Sequence, residues 1–169
     1  MFDFKYKKHN YIYNNLVELS RNIYFYKELN FEDKLENRII IIFAHLSIIL
    51  NYLKKDKKNN SLSQEIYDNI FLNIENNLRE MGHGDVTINK KMKHLNQIFH
   101  DLLVKFIYFD KSNKINVQEM IKFLYIKDKK VEISQKLHDY FQKYNNWSCW
   151  RIRIWQINSW KSNRKPSFL

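Results

Sequence analysis

Two glycines and one proline serve a chain of 169 residues, and both glycines fall in one stretch, LREMGHGDVTINKKMK, at Gly82 and Gly84. So little turn punctuation excludes the many tight reversals of a sandwich or barrel. It leaves helices joined by polar loops. The stretch itself predicts a helix end and a helix start. Glycine just past the last apolar position is the usual left-handed terminator, because it reaches positive φ without a Cβ clash. Asp85 and Thr87 can then accept hydrogen bonds from backbone donors and open the next helix.

Apolar spacing agrees. Ile12, Leu16, Leu19, Ile23 and Tyr26 recur at steps of four and three and predict one helical face. Asn30 is placed to cap the following helix, with Glu32 and Asp33 in its first turn. Leu35, Ile39, Ile42, Leu46, Ile49 and Leu53 then form a seam. Ile40, Ile41 and Phe43 widen it, which makes this helix central. Its run IIIIFAHLSIIL is shorter than a membrane span needs and carries His45 and Ser47, so it reads as a core helix.

KKDKKNN reads as a solvated loop, and Ser61 with Gln64 has capping-box spacing. Ile66, Ile70, Ile74, Leu78 and Met81 mark the helix that ends at Gly82. Thr87 is the expected cap of the next, which carries Ile88, Met92, Leu95, Phe99, Leu102 and Phe106. DKSNK, from Asp110, reads as a loop. Two shorter helices follow, one marked by Met120, Ile121 and Leu124, the other by Ile133, Leu137, Phe141 and Tyr144. The expectation is all-α: one compact domain of about six helices over residues 1–146, without internal repeats.

Residues 147–169 differ in kind. They hold all four tryptophans, the only cysteine, Cys149, and the only proline, with five basic residues and no acidic one. Trp147, Trp150, Arg151, Arg153, Trp155 and Trp160 suit a membrane interface or a nucleic-acid surface; a packed appendage or a frame-shifted gene end accounts for them equally. The net charge of +11 favours anionic partners: nucleic acid, a ribosome or an anionic membrane surface. A single cysteine forms no internal disulfide and fits a reducing compartment. The N-terminal stretch lacks the apolar core of a secretory signal.

The motif residues match a known pattern. FYKELNFEDKLENR, the apolar helix with internal His45, and LREMGHGD together resemble the ubiquinol–cytochrome c chaperone family over residues 25–99. Leu78, Arg79, Glu80, Met81, Gly82, Gly84 and Asp85 match the family's Leu-Arg-Glu-Met-Gly-Val-Gly-Asp, and His83 replaces its apolar residue. Lys90, Lys91 and Met92 fall where the family has its Lys-Lys/Arg-Met-like helix start. His100 and Asp101 depart from its Gly-Arg. The resemblance implies an all-helical assembly factor for cytochrome b of respiratory complex III, not an enzyme. It implies cytochrome b and the ribosome as partners; an anionic membrane surface is a partner expected from the positive charge. The place it implies is cytoplasmic and peripheral at the inner membrane, the matrix side in a mitochondrion.

Bland and sharp readings stand side by side at each position. Arg79, Glu80, Asp85, Lys90 and Lys91 form either a client-binding corner or a local network that fixes the turn. His45 is either a satisfied core histidine or a ligand; the core reading is favoured, with Arg38, seven residues earlier, in the same buried polar pocket. No cofactor, metal ligand set or catalytic residue is read: GHGD is neither a Walker A loop nor a dinucleotide fingerprint. No Cys-x-x-Cys-His occurs, and His94 and His100 are six apart, off the ligand spacing of one helix face. A basic helical module binding RNA or the ribosome is the second reading of function.

Overall fold

A computed structural model of the chain describes residues 2–112, 121–125 and 131–145. The described part is all-α: α1 Phe2–Ser20, α2 Ile23–Lys27, α3 Leu35–Leu53, a 3-10 turn at Lys57–Asn59, α4 Asn60–Glu80, α5 Asp85–Ser112 and α6 Val131–Asn145. The tail from Trp147, Met120 and most of the helix it was to mark lie outside these residues. Within them Ile121 leads into a turn that buries Leu124.

Helix α3 is the centre. Every residue from Ile39 to Leu50 is buried, and α5, α1 and α4 pack around it. By length and composition the helix could cross a membrane, but its side chains are enclosed by the rest of the fold. The seams of α4 (Ile66, Ile70, Ile74, Leu78) and α5 (Ile88, Leu95, Phe99, Leu102, Phe106) are buried as their spacing predicts. Between these helices, Phe43 stacks on Phe71 and meets Phe99 edge-on, with 5.3 Å between centroids in each case. Interdigitated rings of this kind fix one helix register more sharply than aliphatic burial alone.

Several local expectations are corrected. The seam from Ile12 to Tyr26 does not run as one helix. Arg21 and Asn22 interrupt it, Asn22 Oδ1 accepts from Tyr24 N at 3.0 Å to start α2, and Ile23 is left 61% exposed. Asn30 caps nothing: it takes φ 53°, a left-handed conformation that asparagine tolerates. Helix α3 starts later, after Lys34, so Glu36 is its first-turn acid. Ser61 and Gln64 form no capping box; they bond Glu65 and Asp68 one turn on. The expected loop at Asp110 is helical through Ser112.

One buried residue was missed altogether. Asn37 Nδ2 donates to Glu32 O at 2.8 Å and Tyr125 O at 2.7 Å, and Tyr125 N donates to Asn37 Oδ1 at 2.8 Å. This fully buried amide fastens residues 121–125 to the start of α3. It thereby sets one side of the groove described next.

Candidate functional site

The glycine corner forms because α4 runs out of apolar positions after Leu78 and meets a residue free to reverse hand. Gly82 has φ +82°, Gly82 N donates to Arg79 O at 2.9 Å, and His83 N donates to Leu78 O at 3.4 Å. This pair of bonds is the Schellman arrangement, which satisfies carbonyls the helix end would orphan. Met81, expected on the α4 seam, belongs to the turn and is 58% exposed. Gly84 O then accepts from Thr87 N and Ile88 N at 2.9 and 3.0 Å. Thr87 is therefore inside α5, and Gly84 occupies the cap position assigned to Thr87 from sequence.

The two glycines are not equivalent. A side chain at Gly82 would be strained by the positive φ; Gly84 has neither positive φ nor anything within 4 Å of a Cβ. Gly82→Ala should cost about 1–2 kcal/mol of stability, while Gly84→Ser, a good N-cap, should be neutral or slightly stabilising. Thermal melts of the two variants check the contrast; equal losses would show that the turn is not set by Gly82.

Arg79 spans the corner. It bonds Glu75 within α4 at 2.8 Å and reaches across the turn to Asp85. Lys91 Nζ donates to His83 Nε2 at 3.1 Å, tying α5 back to the turn. His83 stands where a Schellman turn commonly places an apolar residue against the helix it ends; here a polar bond holds that position. Glu80 and Lys90 are exposed and take no part in this network. Arg79, Asp85, His83 and Lys91 thus bond α4, the turn and α5 to one another, and the exposed Met81 and Val86, the latter 70% exposed, lie beside them in the chain.

Beside the corner lies a groove of about 450 Å³. Leu78 and Lys91 form its corner end, Ile39 and Ile40 line it from α3, Leu95 and Ile98 from α5, and residues 122–125 close its far side. Its volume is in the range, about 300–1,000 Å³, that takes a whole ligand or a set of large side chains. Most of its lining is apolar; Glu36, Lys91 and Lys122 supply the charge, and His94 adds a polar ring.

His45 and Arg38 do not share a pocket. His45 is fully buried, with Nδ1 donating to Ile41 O at 2.8 Å and Nε2 within 3.1 Å of Tyr140 Oη on α6. Phe25 and Phe141 pack edge-on to its ring. Burial pushes its pKa down to about 4, against a smaller opposing effect of the Ile41 bond. The ring is neutral at pH 7, and both nitrogens are engaged. Arg38 instead reaches out of the core and forms a two-pronged pair with Asp33 at 2.8 and 2.9 Å. Among the described residues no three His, Cys, Asp or Glu side chains come together as metal ligands would.

Residues 27–107 match the family model described as ubiquinol–cytochrome C chaperone. The crystal structure of the Cbp3 homolog from Brucella abortus is similar, with 27% sequence identity, a TM-score of 0.53, and coverage of 72% of this chain and 69% of that one. Both matches are consistent with the ubiquinol–cytochrome c chaperone family. The family match runs from the end of α2 through α3 and α4 and well into α5, so it contains the whole glycine corner and the α3, α4 and α5 sides of the groove. It extends further along α5 than the resemblance read from the motifs. No curated protein sequence matches the chain. The two matches together support a role in assembly of the ubiquinol–cytochrome c reductase, respiratory complex III.

Proposed function

We propose that the chain binds newly made cytochrome b non-covalently and holds it for assembly into complex III, acting as a chaperone and not as an enzyme. The observation that carries this reading is the coincidence of the family match with the helices that build the corner and the groove. An apolar groove beside a rigid, stapled turn suits transient binding of an apolar client segment. The net charge of +11 draws the protein to the ribosome and to the anionic inner-membrane surface where such a client emerges. Its place is then the cytoplasmic side of that membrane, or the matrix side in a mitochondrion.

Cross-linking in cells with pulse-labelled translation products tests the reading. Labelled cytochrome b should be captured by the wild-type chain and captured less by Lys90→Glu/Lys91→Glu. Capture of other products with no cytochrome b among them would sink it. The second reading, a basic RNA- or ribosome-binding module, draws on Lys90, Lys91 and Lys93 near the start of α5. It expects RNA affinity that falls steeply with salt and no client capture.

A further inference from the structure

The C-terminal end of α1 is capped by the chain itself. Val17 O accepts from Arg21 N at 3.1 Å and from Ser20 Oγ at 2.7 Å, and Glu18 O accepts from Arg21 N at 3.1 Å. Leu19 O accepts from Asn22 N at 3.2 Å, and Ser20 O from Tyr26 Oη at 2.5 Å. A helix end ordinarily presents unsatisfied carbonyls that attract cations. Here the last four carbonyls of α1 are engaged. Arg21, the next residue, is exposed, and among the described residues its guanidinium makes no ion pair. Beside it, between α1, α3 and α4, lies a second cavity of about 80 Å³. That is room for roughly six waters. Ile39, Ile42 and Ile74 give it apolar walls, and Tyr13, Arg21, Arg38 and Asn77 give it a polar side; among the described residues no acid lines it.

The polar side offers donors. Asn77 Nδ2 donates to Tyr13 Oη, so the hydroxyl accepts there and keeps its own proton for another acceptor. Among the described residues it has none. Arg21 is close enough for its charge to act on the hydroxyls of both Tyr13 and Tyr26. Burial outweighs that charge and raises the Tyr13 pKa, so the phenol stays a protonated donor. Arg38 is already neutralised by its two-pronged pair with Asp33. Glu80 acts on Tyr13 against Arg21, but it lies outside the lining. We infer that this cavity holds a small oxyanion, a phosphate or a carboxylate, bound by the Arg21 guanidinium and the Tyr13 hydroxyl. An unpaired guanidinium beside an unspent phenolic proton matches the two adjacent oxygens of such a group, and hydrogen bonds to an ionised acceptor are the strong ones. The apolar walls thin the solvent that would otherwise weaken the attraction. The site shares no argument with the chaperone reading and stands or falls apart from it.

Isothermal titration calorimetry of the full chain tests it, with inorganic phosphate in one arm and acetate in the other and the ionic strength held constant with chloride. At least one of the two anions should bind saturably at a single site. Binding of phosphate alone assigns the cavity to a phosphorylated ligand, and binding of acetate alone assigns it to a carboxylate. Arg21→Gln should weaken the binding about ten-fold or more, and Tyr13→Phe, which keeps the ring, about five-fold. Lys57→Gln/Lys58→Gln removes two exposed cations outside the lining and should leave the binding unchanged. Arg21 is exposed, so its substitution spares the core, and thermal melts without added anion check that each variant folds. No saturable binding of either anion at millimolar concentration would overturn the inference. So would equal binding by the wild type and Arg21→Gln, or binding lost in Lys57→Gln/Lys58→Gln and kept in Arg21→Gln, which would reduce the effect to diffuse attraction by surface charge.

Discussion

Acidification from about pH 7.5 to about pH 4 should remove roughly 3 kcal/mol of stability through His45 alone. The unfolded chain protonates this histidine near the ordinary value of 6.5, whereas the folded chain resists until about 4. Between those values the unfolded state holds the extra proton, so acid pulls the equilibrium towards it. The contribution is intact above about 6.5, declines as pH falls, and is spent near 4. Protonation would also turn Nε2 from an acceptor into a donor, so the bond to the Tyr140 hydroxyl reverses direction. Urea unfolding of wild type and His45→Gln across this range checks the effect. The variant should be less stable at neutral pH and should lack the wild type's extra acid dependence. Parallel pH profiles would show that His45 is not the proton-binding group.

Asn37→Ala should cost about 3 kcal/mol and release residues 121–125 from α3. The substitution removes three part-buried hydrogen bonds, each worth about 1 kcal/mol net, and leaves Tyr125 N without its side-chain acceptor. Asn37→Asp should be at least as costly, because it keeps the acceptor but loses both donations and buries a charge. Hydrogen exchange at the Tyr125 amide reports the release directly. Loss of protection there with α4 and α5 unchanged is the expected pattern. A uniform loss across the fold would mean that Asn37 supports the core and not this segment. Since residues 122–125 close the groove, the same variant should weaken any ligand seated in it.

These two residues differ in how readily the sequence discloses them. His45 lies in an unbroken apolar run, and burial with a hydrogen-bond partner is what such a position demands. Its partner Tyr140 is 95 positions away and no local pattern points to it. Asn37 is silent for the same reason: one of its partners is 88 positions away, and an asparagine beside Glu36 and Arg38 looks like solvated surface. The central place of α3 was legible because its apolar positions are periodic and excessive at once. The break at Arg21 and Asn22 was not, since no glycine or proline marks it and a side-chain bond of Asn22 decides it. Gly82 was readable as a terminator from its place after Leu78. Whether Gly84 also needs positive φ was not readable; the backbone requires glycine only at Gly82. Which corner residues pair could be decided only by side-chain direction: Arg79 turns to Glu75 and Asp85, while Glu80 and Lys90 are exposed.

The most direct measurement is a gene deletion followed by reduced-minus-oxidised spectra for assembled cytochrome b, with complex III activity from the same membranes. Loss of both, restored by the wild-type chain and by Gly84→Ser but not by Gly82→Val, is the result expected of a complex III assembly chaperone built on this turn. Normal cytochrome b spectra and normal complex III activity in the deletion strain would contradict it.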